Sequence, residues 1–175
     1  MSHEPTRRTV LTATVERRHE ADALTARPGD AVLVHRGRAR SLVMACPDGC
    51  GERLTVNLDP EAGSAWRAYQ TPRGLTLYPS VWRESGCKSH FIVWHDQIIW
   101  CDRFEAGNRE PEPQDPTLGT RIVAALGSEW TPYSQIAGAI EDIPWEVLRG
   151  CRTLTRRGQI EEGTGRHIGW FRRKP

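Results

Sequence analysis

The tightest constraint on this chain is Cys46-Pro47-Asp48-Gly49-Cys50-Gly51, two thiols on either side of a turn that proline and glycine force to be short. In such a turn both sulfurs can point at one ion, and the backbone N–H groups can donate to them. One knuckle of this kind supplies half a tetrahedron. The other half is available from Cys87 and His90, in CxxH spacing within Gly86-Cys87-Lys88-Ser89-His90, and from Cys101. Any four of Cys46, Cys50, Cys87, His90 and Cys101 make a closed site, and zinc is the ion expected there. Cysteines are often simply buried, but independent burial gives no reason for this spacing. The fifth cysteine, Cys151, falls on the apolar stripe of a helix and reads as core.

The 175 residues suffice for one ordinary domain and a very small second one. The segment from Asp102 to Thr117, DRFEAGNREPEPQDPT, has too many prolines and acids to sustain a sheet. We therefore expect a β-rich metal-binding domain over 8–104, a linker over 105–117 and a second domain over 118–175. Before the linker, Leu11, Ala13 and Val15 alternate with polar neighbours, as do Leu54, Val56 and Leu58. Ala31 to Val34 and Ser41 to Ala45 flank a turn at Arg36-Gly37-Arg38, and Phe91 to Trp94 and Ile98 to Cys101 flank one at His95-Asp96-Gln97. After the linker the period lengthens to about 3.6. Thr131-Pro132 and Asp142 with Pro144 read as helix openings. Gly158 stops the last helix, and Gly163-Thr164-Gly165 reads as a hairpin turn. The expected fold class is α+β: a small β-rich zinc-binding domain followed by a winged-helix-like segment.

Whether the metal is structural or catalytic depends on whether the site is closed. A catalytic zinc keeps three protein ligands and a water. If His90 binds with only two cysteines, Glu52 or Glu84 is the candidate base for that water, and hydrolysis of an amide or isopeptide bond follows. If four groups bind, no position is open, and cysteine richness favours that structural outcome. Ser80 and Ser89 are conceivable nucleophiles, each read here as a turn residue bonding the backbone.

The spaced combination CPDGCGE at Cys46, TLYPS at Thr76, GCKSHFIV at Gly86 and IIWC ending at Cys101 resembles a bacterial family of domains of unknown function. Members are often encoded beside ubiquitin-like conjugation genes, and the resemblance covers about residues 28–102. It implies a zinc-binding domain with ligands among Cys46, Cys50, Cys87, His90 and Cys101. It also implies an accessory role in attaching, processing or removing a ubiquitin-like modifier, with the modifier or its conjugation enzymes as partners and a metal-dependent peptidase as one form of that role.

The alternative is a DNA-binding winged-helix regulator with a purely structural zinc. Residues 118–175 carry 9 Lys/Arg against 6 Asp/Glu, and Arg149, Arg152 and Arg156 share one helical face with Arg157 beside them. Such a face could meet DNA or a partner protein. A net charge of +2 and a mean hydropathy of −0.57 fit a soluble protein. No apolar run reaches the roughly 20 residues needed to cross a bilayer, no secretory signal is recognisable, and the expected location is the cytoplasm.

Overall fold

The structure, a computed structural model, describes residues 4–103 and 105–174. The chain divides into two compact units, one up to Pro111 and one from Glu112 onward. Together they are mixed α+β, and among the described residues no helix is long and apolar enough to cross a membrane.

Among its described residues the first unit has nine strands. β1 (Val10–Val15), β2 (Asp30–Arg36), β3 (Arg38–Ala45) and β4 (Arg53–Asn57) form one sheet in that order, with β1 parallel to β2 and the other pairs antiparallel. β5 (Arg67–Thr71) and β6 (Gly74–Tyr78) form a hairpin. β7 (Val81–Trp82), β8 (His90–Trp94) and β9 (Gln97–Trp100) form a third antiparallel sheet with β7 on its outside.

The apolar run Ala31 to Val34 is continuous because β2 is covered on both faces. Ala31 and Leu33 join Leu42, Met44, Leu54 and Val56 in the main core, while Val32 and Val34 pack with Val43 and Ala21 on the other side. The main core continues through Leu75 and Leu77 of β6 and Phe91, Val93, Ile98 and Trp100 of the third sheet. Phe91 is fully buried and meets Trp100 edge to face, with centroids 5.6 Å apart.

The β8–β9 turn is His95-Asp96, with φ of 50° and 60°. These are the two left-handed positions of a two-residue hairpin turn. Asp96 also locks this sheet to β6: its N–H donates to Leu75 O at 2.9 Å, and its Oδ1 accepts from Leu75 N–H at 2.7 Å.

The second unit runs α1 (Leu118–Ala125), β10 (Thr131–Pro132), α2 (Tyr133–Ala139), α3 (Pro144–Arg156), β11 (Ile160–Glu162) and β12 (Trp170–Arg173). The strands among its described residues are antiparallel in the order β10-β12-β11. Val147, Cys151 and Leu154 of α3 are buried against Leu118, Ile122, Ile136, Ile160 and Phe171. Cys151 is thus core, and burial pushes its thiol up to about 12. Pro144 stands in the first turn of α3, where its missing N–H has no cost. Thr131-Pro132 forms the short strand before α2 instead of its first turn.

Phe91 carries β8 on the core, and its replacement is a direct test of this arrangement. Phe91→Ala is expected to destabilise the first unit by about 3–5 kcal/mol, read as a lowered urea midpoint in tryptophan fluorescence. An unchanged midpoint would contradict the packing described.

Candidate active site

The Cys46–Cys50 knuckle is the connection between β3 and β4. Cys46 N–H donates to Glu52 O at 2.8 Å and Gly49 N–H to Cys46 O at 3.1 Å, closing the turn on itself. Gly49 and Gly51 adopt φ of 80° and 85°, the left-handed region where a side chain is disfavoured. Cys87 arrives on the loop between β7 and β8, whose ends are held together by Arg83 N–H donating to Ser89 O at 3.0 Å.

The three sulfurs of Cys46, Cys50 and Cys87 all lie within 4.8 Å of one another. Cys46 Sγ and Cys87 Sγ are 3.7 Å apart. A tetrahedral ion with metal–sulfur bonds of about 2.3 Å sets its sulfurs about 3.8 Å apart, so these three soft donors fit a metal ion. Ser89, 5% exposed, bridges the pair, with its Oγ 3.6 Å from Cys46 Sγ and 3.4 Å from Cys87 Sγ.

The thiols are electrostatically unequal. Burial pushes Cys46 up to about 12. Burial also opposes ionisation of Cys87, but hydrogen bonds from Ser89 and the neighbouring Cys50 and Cys46 outweigh it and bring Cys87 down to about 7. The guanidinium of Arg83, ion-paired with Glu52, lies 3.2 Å from Cys87 Sγ and 3.6 Å from Cys50 Sγ.

A second constellation is built around β7, β8 and β9. Ser80 immediately precedes β7, His90 opens β8 and Asp102 follows β9 by two residues. His90 Nε2 is 3.1 Å from Ser80 Oγ, and His90 Nδ1 is 3.6 Å from Asp102 Oδ2. With the imidazole proton on Nδ1, facing Asp102, the Ser80 hydroxyl donates to Nε2. The Asp102 distance is that of an ion pair and longer than a hydrogen bond, so Asp102 acts chiefly on the protonated ring. A hydroxyl, an imidazole and a carboxylate in this sequence of contacts have the composition of a serine-hydrolase triad.

Each member is held from behind. Trp66 Nε1 donates to Ser80 O at 3.2 Å. His90 follows Ser89, the bridge to the thiols. The turn carrying Asp102 is tied by Asn108: Trp100 N–H donates to its Oδ1 at 2.8 Å, and its Nδ2 donates to Trp100 O at 2.7 Å and Arg103 O at 2.6 Å. Arg103, beside Asp102, is ion-paired with Asp48 of the knuckle and lies over the Trp100 ring at 4.0 Å.

The structure thus gathers Cys46, Cys50 and Cys87, and places His90 against Ser80 and Asp102. Cys101 lies opposite His90 across the β8–β9 pair, its N–H donating to His90 O at 2.9 Å. Burial and the Asp102 charge push the Cys101 thiol up to about 11. Glu52 is engaged by Arg83, and Glu84 is exposed on the loop. In α3, Arg149 pairs with Glu112 at 3.7 Å, Arg152 with Glu162 at 3.6 Å, and Arg156 donates to Thr153 Oγ1 at 3.0 Å; Arg157 is exposed. Asp102, Arg83 and Asn108 were not singled out from sequence. No motif marks them, and their roles exist only once β7, β8 and β9 are paired.

A protein-family model described as bacterial ubiquitination-like system serine protease (BubE) matches residues 16–101. The match takes in Ser80, His90 and the three clustered cysteines, and ends one residue before Asp102. The similarity is to a family of a bacterial ubiquitination-like system, which is consistent with the association that the spaced motifs imply. No curated protein and no solved structure matches the chain.

Cobalt(II) titration reads the cluster directly. One equivalent per chain with thiolate-to-metal absorption is expected, lost in Cys46→Ser, Cys50→Ser and Cys87→Ser and retained in His90→Ala and Cys101→Ser. Loss of the band in His90→Ala would show that the imidazole is a ligand.

Proposed function

We propose that this chain is a serine peptidase of a bacterial ubiquitin-like conjugation system, processing the modifier or removing it from conjugates. The observation that carries this reading is the 3.1 Å approach of His90 Nε2 to Ser80 Oγ, with Asp102 on the far side of the ring. Ser80 Oγ is the nucleophile. His90 takes its proton as Oγ attacks the carbonyl carbon of the substrate, then passes that proton to the leaving amine. Asp102 stabilises the imidazolium between those two transfers. Water, deprotonated by the same imidazole, attacks the Ser80 ester and releases the acid. The similarity to a family described as a serine protease supports the assignment.

The expectation of a metal-dependent peptidase, with Glu52 or Glu84 as base, finds no support in this arrangement. Glu52 is paired with Arg83, and His90 faces a hydroxyl. We assign the cysteine cluster a structural zinc held by Cys46, Cys50 and Cys87. When bound, the ion supplies a crosslink between the β3–β4 turn and the β7–β8 loop. Arg83 would then offset the surplus negative charge of three thiolates on a divalent ion. The reaction itself is left to Ser80, His90 and Asp102.

For the unit from Glu112 onward, the order helix, strand, helix, helix, strand, strand supports the winged-helix reading. The pairing of Arg149 and Arg152 with acids of the same unit favours a protein-docking module over DNA.

Incubation with a precursor of a ubiquitin-like modifier, extended beyond its mature carboxyl terminus, tests the assignment. Cleavage is expected from the wild type and is expected to vanish in Ser80→Ala. In His90→Ala it should fall by about 10²- to 10⁴-fold, and by less in Asp102→Ala because that carboxylate is 70% exposed. Cleavage that persists undiminished in Ser80→Ala would overturn the reading.

A further inference from the structure

Trp82 is two residues from Ser80 and 64% exposed, although its neighbour Val81 is 6% exposed and packed in the core. The register explains the difference. Val81 pairs with Phe91 and Trp82 with His90, and residues opposite one another in a sheet project to the same face. One face of the β7–β8–β9 sheet therefore carries Val81, Phe91, Val93, Ile98 and Trp100 into the core. The other carries Trp82 and His90, followed by Ile92 and Ile99, which pair with each other and are half-buried. The Trp82 and His90 rings are 6.1 Å apart between centroids, and His90 in turn touches Ser80 Oγ.

An indole is the largest apolar side chain, and leaving one exposed forgoes substantial hydrophobic stabilisation. Here it stands beside the imidazole that touches the Ser80 hydroxyl. Whatever acyl group Ser80 attacks must lie on this face of the sheet, because the nucleophile and its base are both on it. The occupant of the patch is thereby fixed as the substrate chain itself. Trp82 with the half-buried Ile92 and Ile99 offers that chain an apolar surface.

Resting on the reading of Ser80 as nucleophile, we propose that Trp82 forms the wall of a specificity subsite. The substrate is a polypeptide bound in extended form, with an apolar side chain one or two residues from the scissile bond lying against the indole. An acidic or amide side chain at that position gains nothing from the indole and leaves its own polar groups desolvated without partners.

The test uses the full chain and internally quenched peptides that differ only at the residues flanking the cleaved bond. A fluorophosphonate probe first establishes whether Ser80 is the reactive hydroxyl. With the probe on Ser80, wild type is expected to prefer leucine over aspartate at one flanking position by about 10- to 200-fold in kcat/KM. Trp82→Ala should collapse that ratio toward unity, mainly through KM for the leucine peptide, and Trp82→Phe should restore most of it. Because Trp82 is exposed, both variants should keep the thermal midpoint of the wild type. An undiminished leucine preference in Trp82→Ala, or an equal loss on every peptide, would overturn the subsite while leaving the Ser80 assignment standing. Absence of probe from Ser80 would remove both.

Discussion

The arrangement depends on one short segment, the β7–β8 loop from Arg83 to Ser89, and on what anchors it. The Ser80 hydroxyl stands just before β7 and the His90 imidazole just after the loop, so their 3.1 Å contact holds only while the loop keeps its path. Three contacts fix that path. Ser89 bridges Cys46 and Cys87, Arg83 lies against Cys87 and Cys50, and Arg83 N–H closes the loop onto Ser89 O. The third closes the loop on itself, and the first two reach the β3–β4 knuckle. The carboxylate is tied to the same place from the other side, because Arg103, its chain neighbour, is paired with Asp48 inside the knuckle. A metal-thiolate crosslink at that point would stiffen all three members of the constellation without touching substrate, as the supporting contacts around a functional site do generally.

The sheet does the rest by separating its two faces. Core residues of β8 alternate with residues of the opposite face, so burial of Phe91 also determines where its neighbour His90 is presented, while Asp102 lies beyond β9 on the turn held by Asn108. A register slip of one residue would turn His90 into the core. The Asp96 contacts to β6 and the paired left-handed residues of the β8–β9 turn oppose such a slip. Stability and site geometry are therefore coupled through the same few hydrogen bonds.

Much of this was legible in the order of residues. The alternation in β1 and β4, the hairpins at Gly37 and at His95-Asp96, the knuckle and its partner Cys87, and the buried stripe of α3 follow from local rules. The β5–β6 hairpin goes unread although Pro72 and Gly74 mark its turn, and the parallel pairing of β1 with β2 is not legible because no tight turn joins parallel strands. The Ser80–His90 pair is half visible: the sequence offers Ser80 as a conceivable nucleophile but reads it as a turn residue, and CxxH spacing, a strong local signal, draws His90 toward the cysteines. Spacing says that two side chains are near one another; it does not say which way a strand will point them. Only the pairing of β7 with β8 turns His90 toward Ser80, and only the turn secured by Asn108 brings Asp102 to its far side.

The most direct test of Ser80 as nucleophile is to trap its acyl intermediate with a nitrophenyl ester, quench in acid, and locate the acyl group by mass spectrometry. A burst of nitrophenol approaching one equivalent per chain is expected, with the acyl group on Ser80 and no burst in His90→Ala. An acyl group found only on Cys87, a thiol whose environment favours its anion, would contradict the assignment and make the cysteine cluster, not the serine, the reactive centre.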